Sequence, residues 1–116
     1  GEKMAADFDF ELDQGADWVI PIELYDAEDK QMDLSGFTAR MQIRASAGSG
    51  KVSDELTTEN GRLSIDDGTI TARWPNAVTT AMSAGRYVYD LEIVSAEGMV
   101  ARILEGNFIL HREVTR

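Results

Sequence analysis

Asp33-Leu34-Ser35-Gly36-Phe37-Thr38-Ala39-Arg40-Met41-Gln42-Ile43-Arg44 is the stretch whose reading decides the fold. Side chains along an extended backbone point alternately to opposite faces, so Phe37, Ala39, Met41 and Ile43 share one side, and Thr38, Arg40, Gln42 and Arg44 share the other. This is the pattern of a half-buried strand. Asp33, Ser35 and Gly36 favour a reversal just before it, through local side-chain hydrogen bonds and the free φ of glycine.

Working outward, the same period of two recurs. Phe8, Phe10 and Leu12 alternate with Asp7, Asp9, Glu11 and Asp13, and Trp18, Ile20, Ile22 and Leu24 alternate with Val19, Pro21, Glu23 and Tyr25. Pro21 has no N–H to give to a ladder, which predicts an edge strand, a bulge or a locally unpaired position. Asp26 to Lys30 reads as a tight connection. Ala45 to Lys51 is small and flexible, the expected mobile loop. Val52, Asp54, Leu56 and Thr58 suggest a further strand, and Asn60-Gly61 after it predicts a hairpin to Leu63 and Ile65. Asp66-Asp67-Gly68 is a second reversal, followed by Ile70, Ala72 and Trp74. Residues 76–85 have the one helix-like composition, with Asn76 as the expected cap and Gly85 as terminator. Tyr87, Tyr89, Leu91 and Ile93 alternate most regularly of all. Gly106, inside the strand from Met99 to Leu110, predicts a bulge or a close backbone approach. Eight or nine short strands with turn signals and one helical turn predict an all-β antiparallel sandwich. Residues 8–116 form one domain in this reading, and residues 1–7 a flexible N-terminus.

Composition narrows the functions. The chain has 116 residues, no cysteine, and 21 acidic against 11 basic side chains, a formal charge of −10. This balance opposes binding to nucleic acid or anionic lipid, whose phosphates it would repel. Without cysteine there are no disulfides, thiolate metal sites or cysteine nucleophiles. No apolar run approaches the ~20 residues of a membrane span, and Gly1 to Asp7 lack the apolar segment of a signal peptide, so neither insertion nor export is expected.

The sequence carries no specific signal for any of the candidate chemistries. Ala47-Gly48-Ser49-Gly50-Lys51 evokes a phosphate loop, yet Ala45 and Val52 occupy positions that need glycine and a hydroxyl. Asp26, Glu28 and Asp29, or Asp66, Asp67 and Asp90, do not follow the calcium-loop pattern. His111 is the single histidine and lacks companions for the usual metal set or a triad. Trp18, Trp74, Tyr87 and Tyr89 sit at strand period and read as packing residues. No catalytic, cofactor or metal residue is expected. With 21 acids, accidental carboxylate pairs carry no weight for glycoside hydrolysis.

The segments Trp18 to Leu24, Met32 to Arg44, Ala84 to Glu92 and Arg102 to Gly106, taken in order, resemble a known family. They are similar to the small immunoglobulin-like β-sandwich proteins encoded among the tail and baseplate genes of tailed bacteriophages and prophages, in particular the N-terminal domains of upper-baseplate proteins. The shared order is a strand, Asp-Leu-Thr/Ser-Gly and a strand, then a helical turn, Ala-Gly-x-Tyr-x-Tyr-Asp-Leu, and a strand with Leu-Glu-Gly. The resemblance implies an immunoglobulin-like fold and a non-enzymatic virion component, assembled in the bacterial host cytoplasm, that contacts other virion proteins and forms a homo-oligomer. Phe8, Phe10, Pro21, the loop Gly48, Ser49, Gly50 and Lys51, and the terminal Leu110, His111 and Arg116 are the expected contact residues. Two other classes stay open: an acidic inhibitor of a basic host protein, and a carbohydrate-binding module, which would need an exposed aromatic platform.

Overall fold

The computed structural model describes residues 5–113. The period-two segments form β1 (Ala6–Asp7), β2 (Phe10–Asp13), β3 (Trp18–Glu23), β4 (Thr38–Arg44), β5 (Asp54–Thr57), β6 (Leu63–Asp66), β7 (Thr69–Trp74), β8 (Gly85–Val94) and β9 (Val100–His111), with α1 (Asn76–Ala81) between β7 and β8. One sheet runs β1-β9-β8-β4-β5, with β2 beside β9 in line with β1, and the other runs β3-β7-β6. Between them lie Met41, Ile43, Leu56, Ile70, Trp74, Leu91 and Phe108, all fully buried. Every pairing is antiparallel except that β1 and β2 join β9 in parallel.

The deciding stretch behaves as its alternation predicts. The Asp33 carboxylate accepts the Ser35 N–H at 3.0 Å, Phe37 N–H donates to Leu34 O at 3.1 Å, and Gly36 takes φ +78°. Ala39, Met41 and Ile43 then face the core while Thr38 and Arg40 face water. The hydrogen bonding from Ser35 also holds the Asp33 carboxyl below its ordinary pKa. Pro21 lies on an edge strand, since among the described residues β3 pairs only with β7. Leu24 N–H donates to Gly68 O, at the β6–β7 turn. Because N–H direction alternates along a strand, the ring nitrogen of Pro21 points away from β7, to the free side where no donor is missed.

Several expectations are corrected. Ala6 and Asp7 pair with Leu104 and Glu105, so the sandwich already includes part of the segment expected to be a flexible terminus. Asn60-Gly61 does not close a hairpin: β5 and β6 belong to different sheets, and the turn carries the chain across the core. The crossing is clasped by Arg62, whose Nη2 lies 2.8 Å from Asp54 Oδ2 on β5 and whose Nε donates to Arg73 O on β7 at 2.9 Å. The Asn60 side chain lies along β5 as a peptide unit would, accepting from Thr57 N–H at 3.0 Å and donating to Glu55 O at 3.1 Å. Asn76 does not cap α1. Pro75 holds the cap position with no side-chain cap bond, and Asp17 from the β2–β3 connection accepts the Asn76 N–H at 2.6 Å. Gly85 opens β8 instead of ending the helix, which stops at Met82.

Gly106 marks a close approach. A Cβ there would lie 2.2 Å from Phe8 O, where the chain breaks between β1 and β2. The register is the same on both sides of the break, with Asp7 opposite Glu105 and Phe10 opposite Phe108. The bulge of β9 lies elsewhere, opposite Leu91/Glu92.

The two tyrosines of β8 tie this end together. Tyr87 Oη donates to Ser83 O at 2.6 Å, the geometry of a tyrosine corner, in which a phenol early in a strand bonds back to the preceding connection. Tyr89, two residues on, reaches across Gly106 to donate to Phe8 O at 2.6 Å. Burial first, then the charges of Asp9, Asp7 and Glu105, push its phenol well above the ordinary tyrosine value. A raised native pKa contributes stability that is whole below the unfolded value of about 10 and is lost as pH climbs toward the native one, because only the unfolded chain then releases the proton. Tyr89→Phe is therefore expected to flatten the fall of stability above pH ~10, as read by urea melts across the alkaline range. An unchanged alkaline slope would show that Tyr89 does not control it.

Candidate interaction groove

The two sheets differ in width. One has five strand positions across and the other three, so with neighbouring strands about 4.8 Å apart the apolar face of the wider sheet outreaches its cover by roughly 10 Å. Part of that excess shows as a groove of about 670 Å³ between β1 and β3, whose lining includes Phe8, Pro21, Tyr25 and Met32, with Ile93 and Ile103. Leu24 and Leu104, each 8% exposed, place the edge of the core at its floor.

Phe8 belongs to this groove because of the width difference. It stands opposite the core side of β9, and its ring meets that of Phe10 edge-on with centroids 5.0 Å apart. It nevertheless remains 51% exposed, whereas Phe10 is 2% exposed. Tyr25, 53% exposed, forms the opposite lip, its Oη donating to Glu23 Oε1 at 2.7 Å. That hydrogen bond, then the carboxylate charge, raises the Tyr25 pKa. Asp26 accepts from Glu28 N–H at 2.8 Å and Lys30 N–H at 3.0 Å, which fixes the tight turn after β3.

The expected contact residues divide. Phe8 and Pro21 come together in the groove lining, which includes neither Gly48 to Lys51 nor His111. Gly48 and Gly50 stand in open space, and Ser49 Oγ and Lys51 share bonds at 3.2 Å within their own loop. Phe10 and Leu110 are corrections: both lie in the core, at 2% and 1% exposure, where period two puts them and where no partner reaches. His111 is exposed, its Nε2 2.9 Å from Glu11 Oε1, and Arg116 lies outside the described residues. Tyr25, Met32 and Ile103 were missed as contact residues, although the apolar pattern around Met32 and Ile103 marks them as side chains seeking cover.

A second depression, of about 390 Å³, lies on the outer face of the wider sheet, around Arg44, Asp90, Arg102 and Glu105. Its charges are interleaved. Arg102 lies 3.3 Å from Asp90 and 3.6 Å from Glu105, and Arg40 lies 2.8 Å from Glu92. Burial raises the Asp90 pKa, with Arg102 pulling the other way. Among the described residues no group of three or more His, Asp or Glu is placed to hold a metal ion.

Two facing sheets, a tyrosine corner, and first strands in parallel with the last define the class: an immunoglobulin-like β-sandwich. No protein-family model matches the chain, and no curated protein matches it. Among solved structures it is similar to CopC from Methylosinus trichosporium OB3b, at 12% identity and a TM-score of 0.41, over 87% of this chain and 99% of that one. It is also similar to the extracellular domains 3-5 of Drosophila OTK, at 12% identity and a TM-score of 0.38, over 88% of this chain and 32% of that one.

Proposed function

We propose that this protein is a non-enzymatic structural component of a tailed-phage virion, an attachment module of the tail, baseplate or a fibre that works through protein–protein contacts. The observation that carries the contact role is the apolar groove between β1 and β3, where Phe8 and Tyr25 stand half exposed above core side chains. Isolated surface apolar groups are common, but a contiguous trough opening onto the core suits a partner. The ordered resemblance of Met32 to Arg44, Ala84 to Glu92 and Arg102 to Gly106 to phage tail and baseplate sandwiches supplies the virion setting, with other virion proteins and further copies of the chain as neighbours.

The other two classes fit less well. An inhibitor of a basic protein calls for a continuous acidic face, whereas Arg40 and Arg102 interrupt the acids of the wider sheet. A sugar platform calls for Trp18, Trp74 or a tyrosine exposed as a flat face, whereas Trp74 is wholly buried, Trp18 is half covered, and the hydroxyl of the exposed Tyr25 is bonded to Glu23.

Gold-labelled antibody against the chain, applied to phage particles from the strain that encodes it, tests the reading by electron microscopy. Label at a fixed point of the tail is the expected result. Unlabelled particles whose mass spectra also lack the chain's peptides would overturn it.

A further inference from the structure

We propose that the groove between β1 and β3 takes an extended segment of a neighbouring virion protein, in which apolar side chains alternate with lysine or arginine. This rests on the attachment reading above and names the chemistry of the partner. The first ground is shape. Among the described residues the groove lies where the wider sheet has no facing strand, so the missing cover is a strand's breadth, and both lips are strand edges. An extended chain fits such a slot, with alternate side chains directed down onto Ile22, Ile93 and Ile103 and the others directed out to the rim.

The second ground is hydrogen bonding. The free side of β3 offers backbone groups at Glu23 and a carbonyl at Pro21, whose missing N–H prevents a continuous ladder. A guest can therefore register there, while edge-to-edge pairing with another sheet is disfavoured. The edge of β5 makes no comparable offer, because the Asn60 amide already occupies Glu55 O and Thr57 N–H.

The third ground is charge. Glu23 and Asp26 lie in the groove lining at its β3 lip, while Arg102, the one arginine among the described residues of the lining, is engaged by Asp90 and Glu105. The lip thus presents carboxylates to the outward-pointing residues of a guest, which selects cations over acids.

The test uses the full 15N-labelled chain and three synthetic twelve-residue peptides: one alternating valine with lysine, one alternating valine with glutamate, and one with the valine and lysine residues in blocks. The expected result is a set of amide shifts confined to Ala6, Phe8, Glu23, Tyr25 and Ile103 with the first peptide. Affinity should fall at least tenfold for Phe8→Ser and for Glu23→Lys, and stay unchanged for Val19→Ser, an exposed position outside the groove. Equal binding of the glutamate or block peptide, equal loss in the Val19 variant, or no groove shifts with any peptide would overturn the proposal. So would concentration-dependent groove shifts without peptide, which would make a second copy the occupant. The two readings fail separately: unlabelled particles leave peptide binding intact, and an unresponsive groove leaves the particle label in place.

Discussion

Gly106→Ala is expected to destabilise the fold by about 3 kcal/mol or more, an effect large for the addition of one methyl group. The new Cβ would meet Phe8 O at 2.2 Å, and the Phe8 carbonyl carbon and Asp9 Oδ1 each at 2.9 Å. Two of these atoms are backbone, so the clash cannot be relieved by turning a side chain. The Phe8 carbonyl is itself held by Tyr89 Oη at 2.6 Å, and Asp9 Oδ1 by Asn107 N–H at 2.9 Å. Moving the chain away would break both bonds and open the junction of β1, β2 and β9. Gly48→Ala, where a Cβ meets nothing within 4 Å, is the control and should change stability little. Urea denaturation of both variants checks this, and a loss under 1 kcal/mol at Gly106 would show that the first strands float free of β9.

Trp74→Ala should cost about 3–5 kcal/mol, the usual range for removing a large aromatic from a core that cannot collapse around the gap. Trp74 is 0% exposed, and its ring lies 5.6 Å from that of Phe10 and 5.5 Å from that of Phe108, measured between centroids. It therefore joins the first strands, the last strand and the three-stranded sheet. Trp74→Phe should behave differently. The indole Nε1–H is buried without a hydrogen-bond partner among the described residues, a cost of about 1–3 kcal/mol that phenylalanine removes. The smaller ring loses contact area, and the two effects offset each other to within about 1 kcal/mol. Thermal melts that rank the two variants equally would contradict this account.

Much of this fold could be read from alternation, because β4, β7 and β8 each bury every second residue and the signal is local. Which sheet a strand joins is not local. Asn60-Gly61 has hairpin chemistry, but the Arg62 clasp to Asp54 and Arg73 and the Asn60 amide on β5 use the same residues to cross the core. The parallel pairing of β2 with β9 joins residues 98 positions apart, as in Phe10 with Phe108, and no turn announces it. Asn76 looked like a cap because its type is favoured there, yet an acceptor from Asp17 made that role redundant. The groove was half visible. Phe8 and Pro21 stood out singly, but their meeting depends on one sheet being wider than the other, which follows only from the pairing. Phe10 and Leu110, chosen as contacts, were placed by the same period two on the buried side.

The side-by-side first and last strands also determine how the module bears load. Ala6 lies level with Leu104 and Asp13 with His111, so tension drawing the β1 end and the β9 end apart pulls these strands lengthwise past each other. The rungs between them are strained in shear, all at once, instead of being peeled one by one. A sandwich strung this way resists tension best along the line through its own ends.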